Sequence, residues 1–306
     1  MRGTTWRWLV AGLLMTLAFA LAACGGDDEE PAGGGEQQAE STPEAEVQEF
    51  EPGTTLGDIQ ERGQINIGVK YDVPPFGFRN TSSGDIEGFD VDLGRAIAER
   101  LGVEPNFIEA ISDNRIPYLQ RGTADVILST MTINAERAEE IDFSDPYYIA
   151  SGRILVKSDN EEITGVDTLE GKSVCTALGS TYEATLKEQA PDAELRLVDT
   201  YSECLELLQN DTVDAISTDD VILTGMIIQT GGEELKLVGE PLTEEPYGAG
   251  IRKGDEQLLD FVNETFEQFK EDGRWQETYE RWVGQYTGEE AEPPTMTVDE
   301  AVVATS

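Results

Sequence analysis

The sequence predicts an α/β protein built from two lobes. Between about residues 56 and 286, short runs rich in β-branched residues alternate with amphipathic helical segments, which is the pattern of helices layered on a largely parallel sheet. The composition agrees, because 39% hydrophobic and 27% charged residues are typical of a soluble globular protein. A chain of 306 residues is also long enough to form one or two cores and a cleft.

The first lobe can be followed element by element. The run QINIGV at 64–69 predicts a strand, and GFDVDLGRAIAERLG at 88–102 predicts a helix with Asp90 as its N-cap and Gly102 as its stop. The segments NFIEA, NRIPYLQRG and ADVILS then predict a strand, a short helix and a buried strand. We therefore expect one compact lobe over about 56–150.

A second lobe is predicted to begin near Arg153. RILVK predicts a strand, and KSVCTALGSTYEATLKEQAP predicts a strand, a tight turn at Gly179 and a helix. ELRLV, YSECLELLQND and TVDAISTDDVILTGMIIQ continue the alternation, and the last strand runs directly into a helix at Asp219 and Asp220. The segment from EEPYGAG to about 286 predicts a strand and two helices whose aromatic residues recur at core spacing.

The first 24 residues have the features of a secretory signal peptide. Arg2 and Arg7 precede the apolar run LVAGLLMTLAFALAA, and small residues lead to Cys24. LAAC followed by Gly25 resembles the bacterial lipobox, in which cleavage leaves a diacylated cysteine at the N-terminus. We therefore expect Cys24 to anchor the protein outside the cytoplasmic membrane. An uncleaved membrane helix is the alternative, since the run is nearly long enough to span.

Two further segments are predicted to be unfolded. Between Gly25 and Pro52 the chain has ten acidic residues, no basic residue and almost no large apolar residue, so it cannot bury enough surface to offset the entropy of ordering. We interpret residues 25–55 as a flexible acidic linker. The segment GEEAEPPTMTVDEAVVATS looks similar, and residues 287–306 are predicted to form a disordered C-terminal tail.

Charge and cysteine content narrow the range of functions. The chain has 62 acidic and 21 basic residues, a net charge of -41, which argues against binding nucleic acid or anionic lipid by charge attraction. With Cys24 lipidated, Cys175 and Cys204 remain as an even pair in an oxidising compartment, either bonded or as two buried thiols. Two cysteines and no histidine argue against a zinc or iron-sulfur site, so we expect no metal and no cofactor.

Polar side chains collect where predicted strands run into helices, at 129–134, 179–181 and 218–220. Open parallel sheets bind their ligands at the carboxyl ends of strands. An amino-acid zwitterion there needs a planar donor and hydroxyls for its α-carboxylate and an acid for its α-ammonium. The candidates for these contacts are Arg137, Thr130, Thr132, Ser180, Thr181 and Asp219.

Each candidate also has a purely structural interpretation. Arg137 lies near Glu139 and Glu140 on a predicted helix, where arginine most often forms a surface ion pair. Ser180 and Asp219 stand at the starts of helices, where such residues usually act as N-caps. The residues taken singly leave these alternatives open.

A family resemblance favours the ligand-binding interpretation of these residues over the structural one. Over about residues 56–284 the chain resembles the periplasmic solute-binding proteins of amino-acid ABC transporters, and within them the glutamate-binding branch. The resemblance rests on six segments in order, INIGVKYDVPPFGF, GFDVDLGRAIAERLG, NRIPYLQRGTADVILSTMTINAERAEEIDFSDPYY, LEGKSVCTALGSTYEATL, YSECLELLQNDTVDAISTDDVIL and EEPYGAGIRKGD. It implies a type II-like periplasmic-binding-protein fold, in which two α/β lobes joined by two hinge strands close on the ligand.

The resemblance also implies domain limits. Hinge crossings near 149–154 and 246–252 would make lobe I discontinuous, so that lobe I covers 56–150 plus 250–286 and lobe II covers 151–249. In the glutamate branch the cysteines of KSVC and YSEC form a disulfide, which implies a Cys175–Cys204 bond.

The resemblance assigns roles to the candidate residues. Arg137 matches the arginine that clamps the α-carboxylate, and Asp219 matches the acid that holds the α-ammonium. Thr130, Thr132 and Thr181 fall on hydroxyl and backbone contacts.

Lys70, in GVKYD, occupies the position that carries an acid in relatives taking lysine or arginine, so a base there implies glutamate or aspartate. Without the resemblance, Lys70 would be interpreted as a solvated lysine at a strand end. Arg115 in NRIPYL is a further candidate for the side-chain carboxylate, or else a rim residue.

The expected function is therefore capture of glutamate or aspartate outside the cytoplasmic membrane and delivery to an ABC permease and its ATPase, by a lipid-anchored monomer. A glutamine-binding protein is an alternative. An enzyme such as a dehydratase on the same fold is another, but the chain offers no histidine and no free cysteine nucleophile. A sensor domain would carry a membrane span beyond the second lobe, and the polar C-terminal segment favours transport instead.

Overall fold

The computed structural model describes residues 47–288 and 290–305. The predicted signal peptide, Cys24 and the linker up to residue 46 lie outside these residues. Within the described part of the chain, no helix combines the length and the apolar character needed to cross a membrane.

The described residues form an α/β fold with strands in three sheets. The strands are β1 Gln64–Val69, β2 Asp72–Val73, β3 Gly77–Arg79, β4 Ile86–Glu87, β5 Glu104–Glu109, β6 Val126–Ile127, β7 Ile141–Phe143, β8 Tyr148–Lys157, β9 Ser173–Ala177, β10 Glu194–Val198, β11 Ala215–Asp219, β12 Leu235–Val238, β13 Glu244–Tyr247 and β14 Gly250–Arg252. The α-helices are α1 Thr55–Arg62, α2 Phe89–Leu101, α3 Arg115–Arg121, α4 Ala135–Glu140, α5 Tyr182–Gln189, α6 Tyr201–Gln209, α7 Asp220–Gln229, α8 Glu256–Glu271, α9 Arg274–Tyr279, α10 Gln285–Thr287 and α11 Val298–Ala304.

The first lobe is built on a five-stranded sheet in the order β5-β1-β6-β14-β7. Strands β5, β1 and β6 are parallel, whereas β14 runs antiparallel to both β6 and β7. The chain therefore returns to this sheet through β14 after it has completed the second one. Parallel strands are usually covered on both faces, and the consecutive residues Ile67, Gly68 and Val69 of β1, which alternate between the two faces, are all buried.

The second lobe is built on β10-β9-β11-β8-β12, with β13 also paired to β8. Strands β10, β9 and β11 are parallel, and β8 is antiparallel to β11 and β12. The parallel strands bring the end of β9 and the end of β11 to one edge of this sheet. The small sheet β2-β3-β4 lies beside the first lobe's helix α2.

Two strands connect the lobes. The first residues of β8, Tyr148–Ser151, pair antiparallel with β13, while its last residues, 154–157, pair with β12 of the second sheet. β8 thus leads out of the first lobe and β13 leads back to it, as expected for paired hinge strands. The exact lobe limits, 56–150 plus 250–286 and 151–249, stay a prediction.

The lobes are closed on each other. The Ser202 backbone N–H donates to the Asp72 Oδ2 atom across the interface at 3.1 Å. Helix α7 approaches the loop after β2 so closely that a Cβ added at Gly225 would lie 1.8 Å from the Pro74 carbonyl oxygen. Closure therefore depends on glycine at this contact.

The Cys175–Cys204 disulfide is present and joins β9 to α6, with a Cα–Cα distance of 5.5 Å. Both cysteines are fully buried in the core. This confirms the pairing that the resemblance implied.

The helix 88–102 was predicted to begin with Asp90 as its N-cap, and this is wrong. Helix α2 begins at Phe89 after Gly88, which forms no side-chain cap. Asp90 lies inside the first turn and is fully buried, and its carboxylate accepts hydrogen bonds from the Thr130 N–H and the Tyr147 hydroxyl. The predicted stop is right, since Gly102 ends the helix in the left-handed conformation.

The predicted disorder at both ends of the fold is wrong in part. Phe50, inside the predicted linker, packs edge-on against Phe261 at 5.5 Å between ring centroids. Within the predicted tail, α11 is a helix with a Thr297–Glu300 capping box. Ala301 of α11 is fully buried against the first lobe. The seven-residue helix is stable because it packs on this core and not through its own propensity.

Candidate functional site

The predicted residues gather at the crevice between the lobes, where several strands end. Lys70 follows β1, Thr130 and Thr132 follow β6, Gly179 follows β9, and Asp219 ends β11. These ends face one another because the two sheets meet along their carboxyl edges, as open α/β sheets do at ligand sites. The carboxyl ends therefore supply polar groups from both lobes to one crevice.

Arg137 spans the crevice from α4. Its helix is capped by the Asn134 side chain, which accepts from the Arg137 backbone N–H at 2.9 Å. The guanidinium Nη1 donates to the Thr132 carbonyl oxygen at 2.7 Å and Nη2 donates to the Gly179 carbonyl oxygen at 3.1 Å. Two of its five N–H groups are thus used by carbonyls of the described residues, which leaves donors for an anion.

Arg137 is buried, and burial lowers the pKa of its guanidinium, while Glu245 is the charge that most opposes this shift. It forms no ion pair with Glu139 or Glu140 within the described residues, so the surface interpretation of this arginine does not hold. The guanidinium instead faces the crevice.

Arg115 also lies in the crevice, but more of its N–H groups are already hydrogen-bonded than those of Arg137. Its Nε donates to the Ser112 carbonyl, Nη1 donates to the Ser129 and Thr130 carbonyls, and Nη2 donates to the Gly179 carbonyl. Four of its five N–H groups therefore hold backbone in place. Burial, followed by repulsion from Arg137, lowers the pKa of Arg115 to about 9. The geometry favours a positioning role over a direct ligand contact.

Thr130 adopts an unusual backbone conformation, with φ of 44°, in the left-handed region that β-branched residues rarely visit. Its N–H donates to the buried Asp90 carboxylate at 2.9 Å, and its carbonyl accepts from Arg115. Burial raises the pKa of Asp90 to about 7. Asp90 and Arg115 thus fix the loop that carries Thr130 and Thr132, a supporting role for Asp90 that the sequence did not reveal.

Lys70 is buried rather than solvated, with 3% exposure. Its ammonium donates to the Ser112 hydroxyl at 2.9 Å and lies 5.4 Å from the centroid of the Tyr201 ring in a cation–π contact. Burial, and then repulsion from Arg115, lower the pKa of Lys70 to about 7. Among the described residues, no carboxylate forms a salt bridge with this ammonium.

Ser180 and Thr181 lie at the edge of the second lobe. Helix α5 begins at Tyr182 with Thr181 in the N-cap position. The Ser180 backbone N–H already donates to the Ala177 carbonyl at 3.1 Å, so it is not available to a ligand. The Thr181 hydroxyl points into the crevice and donates to the Glu245 carboxylate at 3.1 Å.

Asp219 occupies the N-cap position of α7 but forms no side-chain cap. Its carboxylate instead accepts a hydrogen bond from the Tyr182 hydroxyl at 2.9 Å. Burial, followed by the charge of Glu245, raises the pKa of Asp219 to about 7. A buried carboxylate that is not used as a cap is available to a cation in the crevice.

Glu245 is a crevice residue that sequence reasoning missed. It lies on β13 with 2% exposure. Its carboxylate accepts hydrogen bonds from Thr132, Thr181 and Thr243. Adjacent residues Glu245, Pro246 and Tyr247 are all buried, so the strand lacks the alternation that would have separated Glu245 from its exposed neighbour Glu244.

A cavity of about 1010 Å³ opens at this end of the crevice. Its lining includes Thr132, Arg137, Ser180, Thr181 and Glu245. Lys70, Arg115, Thr130 and Asp219 are also buried but do not line this cavity. The described residues contain no cluster of histidine, cysteine or carboxylate side chains able to hold a metal ion.

Comparison with known proteins agrees with this arrangement. The profile of the bacterial extracellular solute-binding proteins, family 3, matches residues 65–285. The ABC transporter glutamine-binding protein GlnH of Bacillus subtilis is 40% identical over 233 residues, covering 75% of this chain and 84% of that protein. The glutamate-binding protein GluB of Corynebacterium glutamicum is 35% identical over 243 residues, covering 76% of this chain and 81% of that protein.

A solved structure described as an ancestral arginine-binding protein bound to glutamine is 40% identical, with a TM-score of 0.70. The match covers 73% of this chain and 99% of that one. These likenesses confirm the predicted two-lobed fold and the predicted family. GlnH and GluB are binding proteins, which supports the prediction that this chain is not an enzyme.

Proposed function

Because the chain belongs to the bacterial extracellular solute-binding proteins, family 3, and is an amino-acid-binding protein of ABC transport, we propose that its ligand is glutamate or aspartate. The observation that carries the proposal is Lys70, a buried ammonium with no carboxylate in salt-bridge contact among the described residues. A buried charge is costly unless it is paired. The side-chain carboxylate of an acidic ligand would supply that pair.

The remaining contacts involve the α-carboxylate and the α-ammonium group of the amino-acid ligand. The α-carboxylate would lie on the free donors of Arg137 and beside the hydroxyls of Thr132 and Thr181, because a guanidinium offers paired N–H donors to a carboxylate. The α-ammonium would face the Asp219 carboxylate. Since Arg137 and Thr132 belong to the first lobe and Thr181 and Asp219 to the second, the ligand would stabilise the closed arrangement.

Glutamine is a second candidate, and the 40% identity to the Bacillus subtilis glutamine-binding protein favours it. Its side-chain amide would accept a hydrogen bond from the Lys70 ammonium without neutralising it. Burial lowers the pKa of Lys70 to about 7, and this shift toward the uncharged form suits a neutral ligand. We favour glutamate because its side-chain carboxylate would form an ion pair with the charged Lys70 ammonium.

Isothermal titration calorimetry of the purified protein with glutamate, aspartate, glutamine and arginine tests the proposal. We expect glutamate or aspartate to bind at least tenfold more tightly than glutamine, a difference of about 1.4 kcal/mol. Tighter binding of glutamine would select the second candidate. Binding of arginine alone, or of none of the four, would overturn both.

We also propose that Cys24 is lipidated and that the protein is held outside the cytoplasmic membrane, from where it delivers its ligand to an ABC permease and its ATPase. The lipobox-like LAAC sequence supports the anchor, and the family's description as extracellular supports the location. Metabolic labelling with a palmitate analogue should mark the wild-type chain. It should leave the Cys24→Ala variant unlabelled, and equal labelling of both would refute the anchor.

A further inference from the structure

Glu245 joins the two lobes through hydroxyl groups. Its Oε2 atom accepts from the Thr132 hydroxyl of the first lobe at 2.5 Å and from the Thr181 hydroxyl of the second at 3.1 Å. Its Oε1 atom accepts from Thr243 at 2.6 Å. Because Glu245 stands on the hinge strand β13, one carboxylate contacts both lobes at the point where they close.

The charges around Glu245 are those of the proposed ligand site. Glu245 is the charge that most raises the pKa of Arg137, and after burial it is the main cause of the raised pKa of Asp219. The carboxylate therefore lies close to the arginine and to the acid between which the amino-acid head group is proposed to bind. A second carboxylate at this place would be repelled by the first.

Its hydrogen bonds resemble those expected for a bound carboxylate. A buried carboxylate needs donors to offset the loss of water, and three hydroxyls with a neighbouring guanidinium provide them. Two of these three hydroxyls, Thr132 and Thr181, are the ones assigned to the α-carboxylate of the ligand. Glu245 and the ligand thus compete for the same donors.

We propose that Glu245 is an internal substitute for the ligand carboxylate, which draws the lobes together in the absence of ligand and must leave Thr132 and Thr181 when an amino acid binds. The inference rests on the proposed function for the identity of the displaced groups. It adds a determinant of affinity. The fewer molecules have a site free of Glu245, the weaker the apparent affinity for the ligand.

Closure without ligand can be measured without knowing the ligand. Small-angle X-ray scattering of the purified ligand-free protein should give a larger radius of gyration for Glu245→Ala than for the wild type, because the bridging carboxylate is lost. Thr181→Val, which removes one hydroxyl from the second lobe and keeps its shape, should shift the radius in the same direction. Glu244→Gln is the control, since Glu244 is exposed on the same strand.

Binding supplies the second test. Glu245→Gln keeps a side chain of the same size and removes its charge, so glutamate should bind this variant about tenfold more tightly than the wild type. Tenfold weaker binding would show that Glu245 holds the ligand ammonium, and it would overturn the inference. An unchanged radius of gyration in both Glu245→Ala and Thr181→Val would overturn it as well.

The two measurements separate this inference from the proposed function. If no amino acid binds the wild type, the proposed function fails, whereas the scattering comparison still reports whether Glu245 closes the lobes. If glutamate binds the wild type but the variants have the same radius of gyration and the same affinity as the wild type, the inference alone fails. Circular dichroism of each variant establishes that the comparison is made on folded protein.

Discussion

The Arg137 guanidinium of the first lobe donates a hydrogen bond of 3.1 Å to the Gly179 carbonyl of the second. Gly179 has φ of 75° and lies so close to the first lobe that an added Cβ would be 2.7 Å from the Asp113 Cα atom. This bond therefore forms where two backbones nearly touch. Glycine is needed there for its conformation and for its lack of a side chain.

Gly179→Ala should weaken ligand binding by tenfold or more, because the new methyl group holds the lobes apart and each 1.4 kcal/mol of lost closure costs about tenfold in affinity. Calorimetry with glutamate measures the effect. Gly171→Ala is a matched control, since Gly171 has φ of 68° but no atom within 4 Å of an added Cβ. Equal losses in the two variants would mean that backbone strain, and not closure, is responsible.

Arg137→Ala should weaken binding of glutamate by about 2–5 kcal/mol, because the ligand carboxylate would be left buried without its charged partner. Arg121→Ala serves as the control, since Arg121 is an exposed arginine of the same lobe. Calorimetry of the three proteins under one set of conditions gives the comparison. A change of less than a few-fold in Arg137→Ala would remove this residue from the site.

Much of the site was predictable because its residues stand at strand ends. Thr130, Thr132 and Asp219 follow or end recognisable buried strands, and the geometry of open sheets brings such positions together. Arg137 lies on helix α4, and its assignment came from the family resemblance. Glu245 was missed, and Asp90 was wrongly assigned as a helix cap, for the opposite reason. They are single acids within a chain that has 62 acidic residues, and their burial is set by packing between distant segments.

The pH dependence of binding should distinguish glutamate from glutamine. Burial lowers the pKa of Lys70 to about 7 in the ligand-free protein, and a ligand carboxylate beside the ammonium would raise it. Glutamate binding then takes up a proton above about pH 7, so its affinity should be greatest below that pH and fall as pH rises.

Glutamine binding should vary much less with Lys70 ionisation, because an amide accepts from the ammonium without strongly favouring its charge. Asp90 and Asp219 each have a pKa raised to about 7 and titrate in the same range. Their titration should affect the affinities for both ligands alike. The ratio of the two affinities therefore isolates Lys70. Lys70→Met should make that ratio independent of pH, and a ratio that still falls with pH in this variant would exclude Lys70 as the cause.

The disulfide should contribute substantially to the stability of the second lobe. Cys175 and Cys204 are separated by 29 residues, and closing a loop of this length stabilises a fold by about 3–4 kcal/mol in the chain-entropy model. The double variant Cys175→Ala, Cys204→Ala should therefore unfold at lower denaturant concentration, measured by circular dichroism. An unchanged midpoint would show that the bond adds little to stability.

The C-terminal segment is an addition to the first lobe that the sequence did not predict. The family match ends at residue 285, and α11 lies beyond it. The Val298 N–H donates to the Asp145 carboxylate at 2.7 Å, and the Thr305 hydroxyl donates to the Ile133 carbonyl at 3.0 Å. The Thr297–Glu300 capping box was visible in the sequence, but its acidic and proline-containing surroundings suggested disorder.

This segment packs beside α4, the helix that carries Arg137. Ending the chain after Gly288 should therefore destabilise the first lobe by about 2–4 kcal/mol, through exposure of the apolar surface that α11 covers, and should weaken ligand binding several-fold. Ala301→Asp should reproduce the loss, because Ala301 is fully buried, whereas Val303→Asp on the same helix should not, because Val303 is 75% exposed. Thermal unfolding and calorimetry measure the two effects. If Ala301→Asp and Val303→Asp behave alike, α11 does not support the lobe by packing.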